Sequence, residues 1–255
     1  MSDNKNKTTS GFTNKNPPIV PVKLSIYTHS YTAFIGGASD KYSFAPNDVP
    51  IVLSGRGLGP NRFVGEYYDK FVLLHKSKLK NASFQYYGYE EAYNAMNRNK
   101  NKLNAFEDIK NFLEKHPQTQ VNLIGHSLGG WNAAGLAQEL ANKKICKVNL
   151  LITVDPVGEI LSYGRLAPVG ARIYFREPSP SFNYWFSITC DPKSYDSNDA
   201  VADSGGQWRD IPKSRATVFH ITKYSHADFN EMMKEAIIME KSAEQGLLLE
   251  LEKIK

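Results

Sequence analysis

Ten residues, Val121-Asn122-Leu123-Ile124-Gly125-His126-Ser127-Leu128-Gly129-Gly130, limit the possible folds of this chain more than any other segment. Val121, Leu123 and Ile124 suit a strand buried inside a sheet. Leu128, Ala133, Ala134, Leu136, Ala137, Leu140 and Ala141 suit a helix lying on that strand. Between them, Gly-x-Ser-x-Gly is the pattern of a sharp strand-to-helix turn that lifts a serine hydroxyl above the sheet. Such a turn holds its serine at a strained backbone angle. Gly125 and Gly129 clear space where side chains would collide, and Gly130 lets the helix approach closely. The bare pattern also describes an idle glycine-softened junction. Its setting, between an apolar strand and a small-residue helix, points instead to acyl transfer through a serine nucleophile.

The remaining pattern predicts strands alternating with helices. Strands are expected at residues 20–28, 49–53, 82–87, 147–154, 171–175 and 216–222, around the serine strand. Helices are expected at 63–79, 103–116 and 227–240, with a short amphipathic tail at 247–254. This alternation predicts an α/β chain with a mostly parallel central sheet and helices on both faces. The 255 residues suffice for one such domain. Residues 1–18, rich in Asn, Lys, Thr and Ser, are expected to be a disordered N-terminal segment. Residues 19–255 are expected to form a single domain, with a lid-like insertion at about 177–212 because that stretch is long for a plain connection.

The net charge of +5 is scattered over lysines and arginines, which favours ordinary solvated side chains and at most contact with an anionic membrane surface. No nucleic-acid partner is expected. The start has no signal-peptide pattern and no stretch is apolar enough for a membrane span, so the expectation is synthesis in the cytoplasm, with any export by a leaderless route. Cys146 and Cys190 fall in no metal or redox spacing, and Cys146 reads as a small core residue.

A serine hydroxyl needs a base, and the base needs an acid to hold its tautomer. In open α/β sheets these groups collect beyond the carboxyl ends of strands. Asp155 follows the next strand after the serine helix and is the expected acid. Glu177, after the strand expected at 171–175, is its rival, and Asp191, Asp196, Asp199 and Asp203 are weaker candidates. Of six histidines, His226 is the expected base, because it lies just past the last strand. His220 sits inside that strand and His126 inside the turn, while His29, His75 and His116 precede the serine. The oxyanion needs two N–H donors. Leu128, directly after the serine, is one. The second is expected from the glycine-dense loop Ser54-Gly55-Arg56-Gly57, at Arg56 or Gly57.

With these residues in place, the chain resembles the α/β-hydrolase superfamily and, within it, the lipases. Gly125-His126-Ser127-Leu128-Gly129-Gly130 is similar to the lipase turn, including the histidine before the serine. Asp155-Pro156-Val157 and Tyr224-Ser225-His226 resemble the acid and base segments of bacterial lipases and lipase-like effectors. The Ser54-Gly55-Arg56-Gly57 loop is similar to the oxyanion loop but lacks its usual leading histidine. Most members carry the acid one strand later, so an acid at Asp155 resembles a minority of lipases.

The resemblance implies an α/β-hydrolase fold and hydrolysis of carboxylic esters, including lipids, with no metal or organic cofactor. Thioester or amide cleavage by the same three residues, and a binding protein that has lost turnover, are the competing readings. The aromatic residues Phe182, Tyr184, Trp185 and Phe186 are expected either to contact an acyl chain or to pack as satellite core. By analogy with bacterial phospholipase toxins, an immunity or chaperone protein would be a partner if the chain is an exported effector.

Overall fold

The computed structural model describes residues 27–37, 40, 62–92, 104–158 and 176–254. Within them, six strands form one sheet in the order β2-β1-β3-β4-β5-β6, and every neighbouring pair is parallel. The strands are β1 (His29–Ile35), β2 (Ala82–Tyr87), β3 (Thr119–His126), β4 (Val148–Val154), β5 (Phe182–Cys190) and β6 (Val218–Thr222). The helices are α1 (Phe63–His75), α2 (Ala105–Lys115), α3 (Leu128–Asn142), α4 (Ser197–Gly205), α5 (Asp210–Arg215), α6 (Phe229–Lys234) and α7 (Ala243–Leu251). A parallel sheet needs crossover helices and is covered on both faces. Every residue of β3 and of β4 is accordingly buried.

Side-chain alternation along the strands sorts the core into two layers. Tyr31, Ala33 and Ile35 of β1, Leu123 of β3 and Trp185 of β5 face α2 and α3, meeting Phe106, Ile109, Trp131 and Leu136. Phe34, Ile124, Ile152 and Ile188 face the other way, against Val64, Tyr67 and Phe71 of α1, Phe229 and Met232 of α6, and Leu247 and Leu251 of α7. The sheet grows from β1 to β2 on one side and restarts at β3 on the other. The strand order therefore reverses between β1 and β3, the place where open α/β sheets bind ligands at their carboxyl ends. This order, with the serine turn at the end of β3, gives the α/β-hydrolase fold that the sequence predicts. No helix among the described residues is long and apolar enough to cross a membrane.

Several boundaries differ from expectation. The first described strand is β1, at His29–Ile35, directly after the strand expected at 20–28 and where none is expected. Ser30 and Thr32 hide it: both are polar and both are fully buried, so the apolar pattern breaks although the strand is central. The strands expected at 20–28 (up to residue 26), 49–53 and 171–175 fall outside the described residues, as does the segment at 1–18. The last helical stretch splits. α6 covers only Phe229–Lys234, a tight hairpin pairs Ile238 with Lys241, and α7 begins after Ser242, whose hydroxyl accepts the Gln245 N–H.

The largest correction concerns the lid-like insertion at 177–212. Its first half contains β5, a strand inside the sheet between β4 and β6. Phe182, Tyr184, Trp185 and Phe186 lie in the amino-terminal half of that strand, away from its carboxyl end. Trp185 is fully buried, donates its indole N–H to Thr153 Oγ1 at 2.9 Å, and packs on Trp208. Phe182 packs on Trp185, Phe186 packs toward α7, and Tyr184 is exposed at the surface. These aromatics are strand formers that pack on a pleated sheet, so the structure removes them from the candidate site.

Close approach of α3 depends on Gly129. A Cβ there would stand 2.3 Å from the Ile35 carbonyl oxygen and 2.4 Å from that of Gly36. Backbone on both sides leaves no cheap relief. Gly129→Ala is expected to cost about 3 kcal/mol of folding stability by overpacking, measured by urea unfolding, whereas Gly246→Ala, whose Cβ would meet only the Phe186 ring edge at 3.3 Å, is expected to change stability far less.

Candidate active site

Four strand ends converge on one spot. Ser127 follows β3 with φ 56° and ψ −128°, and Asp155 follows β4 with φ 39°. Each such backbone costs about 1–3 kcal/mol and persists only where its surroundings dictate it. Here they do. The Ser127 N–H donates to the Val154 carbonyl at 3.0 Å, the Asp155 N–H to Ile188 at 2.7 Å, and the Asp191 N–H to Thr222 at 2.9 Å. The Ser127 carbonyl accepts the N–H groups of Gly130 at 2.9 Å and Val157 at 3.0 Å. The ends of β3, β4, β5 and β6 are stitched into one ledge.

On that ledge Ser127 Oγ lies 3.1 Å from His226 Nε2, and His226 Nδ1 lies 2.6 Å from Asp155 Oδ2. A carboxylate only accepts, so His226 donates its Nδ1–H to Asp155. Its bare Nε2 then accepts the serine hydroxyl proton. Asp155 is sealed from solvent, while Ser127 keeps 9% and His226 7% of its surface exposed. Burial by itself would raise the Asp155 carboxyl. The hydrogen bond and charge of His226, the Cys190 N–H at 2.9 Å and the Gln207 amide more than offset this and hold it well below the usual carboxylate range.

Other expected residues fall elsewhere. Glu177 accepts the Trp208 indole N–H at 2.9 Å. Asp203 accepts the Tyr195 hydroxyl at 2.7 Å, and Asp191 pairs with Lys223. Asp196 and Asp199 form the capping box of α4, and Asp199 Oδ1 accepts the His226 N–H at 2.8 Å. They support the histidine main chain without touching its ring nitrogens. Cys146 packs against the core, and burial pushes its thiol up to about 12. His220 pairs with Glu235 at 3.1 Å, away from Ser127. Among the described residues no group of three or more His, Cys, Asp or Glu side chains is placed to hold a metal ion.

His126, a wild-card position in the serine turn, turns inward. Its Nε2–H donates to the His226 carbonyl at 2.8 Å, and its ring lies 4.7 Å from the His226 ring. Burial first, and then the proximity of His226, lower its pKa to about 3. It stays neutral beside His226 and adds no competing positive charge.

The donors expected for an oxyanion divide between described and undescribed residues. Leu128 opens α3, so its N–H is one of the helix-start donors with no partner inside the helix, at the positive end of the helix dipole. The Arg56–Gly57 segment lies outside the described residues. The glycine pair set against the serine is a different one, Gly36-Gly37, directly after β1. A Cβ at Gly37 would stand 2.9 Å from Ser127 Cβ. Asp40 fixes this turn. Its buried carboxylate accepts the N–H groups of Gly37, Val64 at 2.8 Å and Gly65 at 3.0 Å, and the Tyr86 hydroxyl at 2.6 Å. It thereby ties the loop beside Ser127 to the start of α1. Gly36-Gly37 is visible in the sequence, and the polar character of β1 hid its place at a strand end.

The chain is similar in structure to a protein from Xanthomonas campestris pv. campestris described as a hydrolase of the α/β superfamily, with 11% identity and a TM-score of 0.36 over 77% of this chain and 87% of that one. It is similar also to the RedJ thioesterase of the prodiginine biosynthetic pathway in Streptomyces coelicolor, with 12% identity and a TM-score of 0.38 over 91% and 88% of the two chains. A structure of RedJ with polyethylene glycol in its active site gives 13% identity and a TM-score of 0.38 over 91% and 94%. No protein-family model and no curated protein matches the chain.

Proposed function

We propose that this chain is a serine hydrolase that cleaves carboxylic esters, with lipid esters as its substrate class, through a covalent acyl-enzyme. The observation that carries the reading is the continuous line from Ser127 Oγ through both ring nitrogens of His226 to Asp155, at 3.1 and 2.6 Å, on a strained turn at the end of β3. In this reading His226 Nε2 takes the hydroxyl proton as Ser127 Oγ bonds to the ester carbonyl carbon. The carbonyl oxygen becomes an oxyanion facing the Leu128 N–H. When the intermediate collapses, the carbon–oxygen bond to the alcohol breaks and His226 returns the proton to the departing alkoxide. Water, deprotonated by the same nitrogen, then releases the acid and restores Ser127. Asp155 keeps the imidazole in the required tautomer and stabilises its charged form without taking the proton.

The lipid class rests on the likeness of the Gly125–Gly130 turn to lipases, with His126 before the serine. Short and long nitrophenyl esters, phospholipid vesicles and an acyl-thioester, assayed side by side with a Ser127→Ala control, test it. Serine-dependent turnover that rises with acyl length and extends to vesicles is expected. Turnover of the thioester alone would overturn the ester assignment.

The acid role has its own test. Asp155→Asn presents an amide where His226 needs an acceptor, so the wrong tautomer is favoured. A fall in kcat of about ten-thousandfold is expected, while Glu177→Gln, altering a group bonded to Trp208, is expected to leave kcat within about twofold of the parent. A large loss only in Glu177→Gln would move the acid role to that residue.

A further inference from the structure

The segment between β5 and β6 grips both partners of Ser127. Near its start, Asp199 holds the His226 N–H. Near its end, Gln207 directs its side-chain amide at Asp155, 3.0 Å from Oδ1 and 3.2 Å from Oδ2. We propose that Gln207 is a positioning residue for the acid–base pair, fixing the Asp155 carboxylate toward His226 and moderating how strongly it binds the imidazole. The inference rests on the reading of Ser127, His226 and Asp155 as the catalytic group.

The contacts around Asp155 make the case. Oδ1 also accepts the Cys190 N–H at 2.9 Å and the Thr189 hydroxyl at 3.3 Å, both from the end of β5. Oδ2 faces His226. A carboxylate offers about four lone-pair directions. The Gln207 amide, spanning both oxygens, completes the set and leaves Asp155 one orientation.

The amide is delivered by a rigid strut. Val157 and Gln207 pair as an antiparallel bridge, the Gly158 N–H donates to Gly206 at 2.9 Å, and the Trp208 N–H donates to Pro156 at 2.8 Å. The Trp208 ring is fully buried against Trp131 and Trp185. The strut crosses closely at Gly205, where a Cβ would sit 2.3 Å from Val157 Cγ1 and force that side chain to move. The segment expected to act as a lid is thus a brace pinned against the acid's own loop.

The residue type fits the task. A primary amide donates without carrying charge, so it shares the carboxylate's electron density without competing with His226 as a counter-ion. Without it, Asp155 would hold the His226 Nδ1–H more tightly. The balance between taking the proton from Ser127 and returning it to the leaving group would then shift.

Two variants of the full chain test this. Gln207→Leu removes the donors at similar volume, and Gln207→Glu sets a second carboxyl against Asp155. The proton resonance of His226 Nδ1–H, assigned by its loss in His226→Ala, is recorded without substrate, and kcat and KM are measured separately. In Gln207→Leu the resonance is expected to move downfield and kcat to fall about tenfold with KM unchanged, as for a lost hydrogen bond to a charged group. Gln207→Glu is expected to lose more than Gln207→Leu. If Gln207→Leu does not fold, the resonance and kcat of Gln207→Glu decide. An unmoved resonance in a folded variant, or a kcat equal to the parent's, would overturn the proposal. The resonance needs no ester, so it judges Gln207 even if the parent turns over no substrate, a result that would count against the hydrolase reading instead.

Discussion

Ser127→Ala is expected to lower ester turnover about a millionfold while leaving the fold intact. The side chain is small, and what it meets is the His226 ring nitrogen at 3.1 Å. Its loss therefore opens no large cavity and strands no buried charge. The backbone at φ 56° remains strained in the alanine variant. Ser127→Gly removes that strain and is expected to be at least as stable as the parent, with the same loss of turnover. Stability kept while activity vanishes is the signature of a strained residue retained for chemistry. The check is kcat on a nitrophenyl ester together with the urea midpoint of each variant.

His226→Ala is expected to cost about as much in turnover as Ser127→Ala, and the double variant little more than either alone, because members of such a group act as a unit. It differs from the serine variants in stability. Asp155 is fully buried, and removing its partner leaves a carboxylate without its nearest donor. A loss of about 3 kcal/mol is expected near neutral pH. The pH dependence reverses with it. In the parent the folded-state carboxyl of Asp155 is depressed below its ordinary 3.8. Its contribution is fully present above that value and is lost as pH falls through the folded-state value. In His226→Ala the Cys190 N–H and Gln207 amide remain but the largest lowering influence is gone, so burial is expected to raise the group and its contribution to be lost as pH rises. Urea unfolding from acid to neutral pH is expected to show the gap between parent and variant widening with pH. A constant gap would mean that Asp155 does not depend on His226 for its charge.

Features with a local pattern were legible in the sequence. The serine turn, the small-residue helix after it, and the strand ends that place Asp155 and His226 are written in runs of neighbouring residues, and the structure brings Ser127, Asp155 and His226 together where those runs end. β1 was obscured because the pattern of a central strand is broken when Ser30 and Thr32 are buried with it. The sequence leaves β5 open between an insertion and core, because aromatic residues pack on a sheet as readily as they line a pocket, and composition does not separate the two. Gln207 and Asp40 had no local signature. Gln207 reaches Asp155 only through the pairing of its backbone with Val157, and Asp40 joins the turn after β1 to the start of α1. Such contacts are products of chain register and tertiary placement, which no window of sequence contains.

The most direct measurement is covalent labelling of the folded parent with a fluorophosphonate probe, with the modified peptide located by mass. One equivalent of label on Ser127, lost in Ser127→Ala and nearly lost in His226→Ala, is the expected result. A folded parent that takes up no label, or takes it up at another serine, would contradict the claim that this hydroxyl is the activated nucleophile.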